Sequence, residues 1–156
     1  MSQRESDTQP RIFVDGDACP VKQETLKVAA RYRLPVVIVS NGGLRPSRDP
    51  MVSHIVVAKD ADAADDRIVE EIASGDVAVT ADIRLAARLL EKGASVLGPD
   101  GRPFTESTIG AALAMRELSQ HLRETGEIRG LNAAFTARDR SRFLQELDRL
   151  ARRARG

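Results

Sequence analysis

The chain has one cysteine, no tryptophan, one tyrosine and four phenylalanines in 156 residues, and each scarcity removes a class of function. A single cysteine forms no internal disulfide, and with two distant histidines, His54 and His121, it assembles no four-ligand zinc site. Any metal is therefore expected on oxygen. No apolar run approaches the roughly 18 residues that a transmembrane helix needs, so no membrane span is predicted. The opening MSQRESDTQPR is polar and carries both charge signs, unlike a secretory signal; a flexible tail over residues 1–10 and a cytoplasmic location are expected. Aromatic residues make up 3% of the chain, which leaves few platforms on which bases could stack. A net charge of +1 supplies no chain-wide positive field toward nucleic acid.

What is present is globular, 42% hydrophobic and 30% charged, and its length suits one domain, expected over residues 11–156. Charge is uneven along it. Residues 59–71 hold six acids (Asp60, Asp62, Asp65, Asp66, Glu70, Glu71) against Lys59 and Arg67. Residues 138–156 hold seven arginines, Arg152 and Arg153 among them, against Asp139, Glu146 and Asp148. The bland account of that arginine run is the solvated face of a terminal helix.

Short β-rich runs alternate with helical patterns, which predicts an α/β fold: a three-layer sandwich with a mostly parallel central sheet and C-terminal helices. Strands are expected at residues 11–14, 36–39, 54–57, 76–80 and, as a short last strand, 94–97. Helices are expected at about 21–33, 63–73, 82–92, 108–124 and 138–153, with Asp82 and the Thr105/Ser107 pair as caps. The segment from Gly42 to Pro50 carries two glycines and two prolines and reads as a loop.

In open α/β sheets a ligand sits outside the carboxyl ends of the strands. Asp15 and Asp17 follow the first strand, Asp62, Asp65 and Asp66 the third, and Asp82 the fourth. Singly, each has a structural explanation: Asp82 and Asp65 as helix caps, Asp62 in a first turn, Asp15-Gly16-Asp17 as a turn. Jointly they would put several carboxylates on one edge, where mutual repulsion raises their pKa values and a divalent cation relieves it. Mg2+ or Mn2+ suits such oxygen donors. Ser40 and Asn41 end the second strand and, with Arg45 and Arg48 in the following loop, are candidate phosphate contacts. Cys19 lies near a helix start with no histidine base beside it in sequence and reads as a packed residue. His54 and His121 read as structural or surface residues.

The segments Val14-Asp15-Gly16-Asp17-Ala18-Cys19-Pro20, Ser40-Asn41 with Leu44-Arg45 and Ser47-Arg48, Asp62-Ala63-Ala64-Asp65, and Val79-Thr80-Ala81-Asp82-Ile83-Arg84-Leu85-Ala86 resemble the YaiI/YqxD family of uncharacterised bacterial proteins, over about residues 11–150. That family in turn resembles the PIN-like nucleases. The resemblance implies metal held by acids at the ends of parallel strands, with Asp15, Asp65 and Asp82 as catalytic ligands and Asp62 as a further metal ligand. The middle of the motif departs from the pattern, offering Asp62, Asp65 and Asp66 where a glutamate is often found.

The expected activity is metal-dependent hydrolysis of RNA or DNA phosphodiesters, with RNA the favoured partner and backbone contact more important than base reading. A second reading rests on Asp15-Gly16-Asp17 and Val37-Ile38-Val39-Ser40-Asn41, which resemble the first two motifs of haloacid-dehalogenase-type phosphatases. It makes Asp15 the nucleophile and Asp17 the general acid. That family expects a Gly-Asp pair after a strand, whereas Gly75-Asp76 precedes one. A third reading is a non-catalytic module binding RNA or protein.

Overall fold

The computed structural model describes residues 9–16, 19–42, 47–60, 62–124 and 135–155, without the side chains of 112, 116 and 119–124. The expected tail over 1–10 therefore lies almost wholly outside the described residues. Six strands, β1 (Ile12–Asp15), β2 (Val36–Ser40), β3 (Val52–Val56), β4 (Val77–Val79), β5 (Ser95–Leu97) and β6 (Pro103–Phe104), form one sheet in the order β3-β2-β1-β4-β5-β6. β1 to β5 are parallel; β6 runs antiparallel to β5. Among the described residues five helices accompany them: α1 (Lys22–Tyr32), α2 (Ala63–Glu71), α3 (Ile83–Glu91), α4 (Glu106–Glu124) and α5 (Ala137–Arg155). No helix among the described residues is long and apolar enough to cross a membrane.

The strands are apolar throughout because both faces are covered, and side chains alternate between the faces. Ile12, Val14, Val36, Ile38, Val77, Val79 and Leu97 point to a core shared with Val28 of α1 and Phe143 and Leu147 of α5. Phe13, Val37, Val39, Ala78 and Val96 point the other way, to Ile68 of α2 and Leu85 and Leu89 of α3. The result is the expected three-layer sandwich.

Two differences from the sequence reading have local causes. The last strand is β6, not β5: two residues are too few to show a period, and only the antiparallel pairing of Val96 with Phe104 and Leu97 with Pro103 defines it. β3 starts at Val52, where pairing with Val36 extends it beyond its own apolar run. Asp82 and Thr105 cap as read, whereas Ser107 lies inside α4. Asp82 Oδ1 accepts from Arg84 N (2.9 Å) and Leu85 N (3.3 Å) at the start of α3. Thr105 exchanges hydrogen bonds with Thr108 at the start of α4.

α5 lies beside α1 and runs the same way, since Arg140 pairs with Glu24 in the first turn of α1 and Asp148 meets Arg31 and Tyr32 in its last. The turn after β5 fixes where α5 begins to pack. Gly101 has φ 85°, and a Cβ there would come within 2.5 Å of Phe143 N. Gly101→Ala should therefore lower stability by about 2 kcal/mol or more, from the left-handed backbone and the collision with α5 together. Urea unfolding checks this, and a midpoint equal to the parent's would show that α5 is not held against this turn.

Candidate active site

Strand order reverses between β1 and β4, whose chains leave toward opposite sides of the sheet, and the crevice opened there faces the carboxyl edge. Asp15 ends β1, one residue past the pairing of Val14 with Val79. On the neighbouring strand Thr80 is buried, and its Oγ1 donates to Asp15 Oδ2 (3.1 Å) while accepting from Asp82 N (3.0 Å). One hydroxyl thus ties the two strand ends together. α2 enters from the other side, and Asp65, its third residue, faces the same space. Asp15, Asp65 and Asp82 line one cavity of about 250 Å3, together with Asn41, Lys59, Asp60 and Ala64.

The three carboxylates act on one another. The Asp65 carboxyl, half-buried, is pushed up to about 6 from 3.8, first by its burial and then by the charges of Asp82 and Asp15; Arg88 opposes the shift. Capping and facing the cavity are compatible for Asp82, because both cap bonds fall on Oδ1. Asp65 is not a cap: it sits inside α2, whose cap residue is Asp62, and Asp62 makes no side-chain cap bond.

A second cavity, of about 500 Å3, adjoins the first and shares Asp65 and Asp82 with it. Its other polar lining is Asp62, Asp66, Arg84 and Arg88. The three middle acids are therefore separated by position. Asp65 faces both cavities, Asp66 is held by Arg88 at 3.0 Å, and exposed Asp62 lines only the second.

Among the described residues no three His, Cys, Asp or Glu side chains stand close enough to hold one ion directly between them. The donor set is nonetheless all carboxylate and amide oxygen, and one of its carboxylates is strained by the others. That chemistry fits a hard cation bound through one or two carboxylates and its own waters, the usual habit of Mg2+. Asp15, Asp65 and Asp82 would hold such a cation, with Asp62 reached only from the second cavity.

Not every candidate lines these cavities. Ser40 is buried, and its Oγ accepts from Gly42 N at 3.4 Å, so it turns the chain while Asn41 lines the cavity. Arg48 is absent from the lining of both cavities. Its neighbours bond to the start and outer side of β3: Ser47 N donates to His54 Nε2 and Val52 N to Asp49 O. The loop has by then run back toward the amino edge, because β2 and β3 are parallel. Asp17 and Arg45 lie outside the described residues, as does the side chain of His121. Burial pushes the Cys19 thiol up, more than its bond to Val21 lowers it, which suits packing and not a nucleophile. Arg152 and Arg153 end α5, beyond the contact of Asp148 with the last turn of α1, and so lie toward the amino edge.

Sequence reasoning missed Thr80, Lys59, Arg84 and Arg88. Arg84 and Arg88 were open to inference, since they follow Asp82 by two and six residues and share a helix face four apart. Thr80 was not, because its role depends on the pairing of β1 with β4.

The family model described as "Uncharacterized BCR, YaiI/YqxD family" matches residues 13–153. A UPF0178 protein of Mesorhizobium japonicum is 67% identical over 145 residues, covering 93% of this chain and 94% of the relative. One from Agrobacterium fabrum is 59% identical over 146 residues (94% and 95%), and one from Rhizobium meliloti 60% over 144 residues (92% and 99%). No solved structure matches the chain.

The raised Asp65 carboxyl makes a signed prediction for the metal-free protein. Between 3.8 and about 6 the folded state binds more protons than the unfolded state. The stabilising contribution of the protonated form is thus complete below the lower value and is lost as pH rises through the upper one. Asp65→Asn should match the parent in melting temperature near pH 4 in EDTA and exceed it increasingly up to pH 7. A difference that does not change with pH would mean that Asp65 titrates like an ordinary carboxyl.

Proposed function

The chain belongs to the YaiI/YqxD family, and from the geometry of its acidic edge we propose that it is a divalent-cation-dependent phosphodiesterase acting on RNA or DNA. The observation that carries this reading is the convergence of Asp15, Asp65 and Asp82 on one cavity at the point where strand order reverses. Asp15 and Asp82 come from adjacent strand ends and are set relative to each other by Thr80; Asp65 comes from a separate helix. Three chain segments thus deliver carboxylates to one place, an arrangement that capping alone explains for Asp82 only.

When bound, the cation supplies neutralisation of charge and a water of lowered pKa. The chain's own residues do the rest. Thr80 fixes the Asp15 carboxylate by its hydrogen bond, and the first turn of α3 fixes that of Asp82, so neither has to be ordered when a substrate arrives. Asp65, near 6, is mostly ionised at neutral pH and still able to exchange a proton with water in the cavity. Lys59 on the same lining offers a cation to a phosphate oxygen. The scarcity of aromatic residues points to contact with the sugar-phosphate backbone and away from base reading.

No observation among the described residues favours the aspartyl-phosphate alternative. Asp76, the acid of the Gly75-Asp76 pair, is buried at the amino edge, where its Oδ1 accepts from Arg11 N and its Oδ2 from Ala73 N. That is a structural clamp at the wrong end of the strands.

Calorimetry with Mn2+ tests the proposal. Asp15→Asn, Asp65→Asn and Asp82→Asn should each weaken binding by at least about tenfold, and the same variants should lose hydrolysis of a nucleic-acid substrate. If all three bind Mn2+ like the parent, the catalytic reading falls. Trapping of beryllium fluoride on Asp15 would replace it with the phosphatase.

A further inference from the structure

We infer that Arg84 and Arg88 form a phosphate subsite in the second cavity, which holds a backbone phosphate of the nucleic-acid strand adjacent to the one presented to Asp15, Asp65 and Asp82. The inference rests on the phosphodiesterase reading and adds the element that the acidic cavity lacks, a pair of arginines beside it.

The two cavities are contiguous, because Asp65 and Asp82 line both. Among the described residues, Arg84 and Arg88 are the arginines that line either of them. One turn apart on α3, they share a helix face, and the opposite face of that helix is anchored by fully buried Leu85, Ala86 and Leu89. The roots of both side chains are therefore fixed, while the guanidinium ends stay exposed to a ligand. Arg88 is oriented by Asp66 at 3.0 Å, and Arg84 is in none of the ion pairs among the described residues. Guanidinium forks match the oxygens of a phosphate, and at about 500 Å3 the cavity has room for one with its water. The arginines of α5 are differently disposed: Arg140, Arg142 and Arg149 pair with Glu24, Asp139 and Glu146, and none lines the acidic edge.

The test is binding of a fluorescein-labelled single-stranded RNA oligonucleotide to the full chain in Mg2+, followed by anisotropy across a KCl series, with the RNA checked for intactness on a gel. Arg84→Ala with Arg88→Ala should flatten the log-log salt dependence by about 0.7 for each lost contact, about 1.4 for the pair. Arg84→Lys with Arg88→Lys should restore the slope, since counterion release follows charge. Arg152→Ala with Arg153→Ala, at the far edge, should leave the slope unaltered. Both arginines are exposed, and circular dichroism will show that the variants are folded.

A parental slope in the double alanine variant overturns the subsite, and so does failure of the parent to bind the RNA at all. Mn2+ calorimetry on the double alanine variant separates this from failure of the underlying reading. Parental Mn2+ affinity with a parental RNA slope removes the subsite alone, whereas absence of Mn2+ binding in the parent protein removes both.

Discussion

The pairing of β1 with β4 is the constraint from which the rest of the acidic edge follows. Parallel strands need crossover connections, and here the connections leave β1 for β2 on one side and reach β4 by way of α2 on the other. Covering layers on both faces then force near-continuous apolar strands, so polar residues are pushed to the strand ends. At the carboxyl end of this pair, Asp15 and Thr80 stand side by side, and a buried hydroxyl at Thr80 has to find partners. It finds Asp15 Oδ2 on one side and Asp82 N on the other. Replacing the pair's register by one residue would turn Thr80 into the opposite layer and separate the two acids.

The roles of helix cap and cavity lining, alternatives when each aspartate is weighed singly, are divided here by atom and by position. Asp82 spends Oδ1 on the first turn of α3 and still lines the cavity. Asp65 caps nothing; it carries the electrostatic cost of the site, its proton held more tightly than that of an ordinary aspartate by burial and by Asp82 and Asp15. Asp66, its neighbour in sequence, points elsewhere and holds Arg88. Consecutive residues on a helix are about 100° apart, which is why Asp65 reaches the first cavity and Asp66 does not, although both line the second.

Much of the layer structure was legible because it depends on local pattern. A continuous apolar run marks β2 as a strand buried on both faces, and Leu85, Ala86 and Leu89 mark the buried stripe of α3. The positions of Asp15 and Asp82 were also legible, since Asp15 ends its strand and Asp82 closely follows one, whereas Asp65 stands in the first turn of α2 and not at a strand end. What could not be read was anything set by strand order or by the path of a connection. The loop after β2 carries Arg48 away from the edge where Ser40 and Asn41 lie, because a parallel β3 requires the chain to return to the amino side before it starts. β6 escaped notice for a similar reason: Pro103 and Phe104 have no strand pattern of their own and become a strand only by lying against β5.

The charges of the edge impose an order on any polyanion that approaches it. Among the described residues the two cavities together are lined by six carboxylates (Asp15, Asp60, Asp62, Asp65, Asp66, Asp82) and three cations (Lys59, Arg84, Arg88). Above the pH at which Asp65 ionises, this edge is negative by three charges and repels a phosphate backbone. A divalent cation removes most of that excess, and the arginines then face a nearly neutral cavity. On the proposed reading the cation therefore precedes the nucleic acid. On the same reading protons would compete with the cation for Asp65 in the acid range, which would couple cation affinity to pH through that carboxylate.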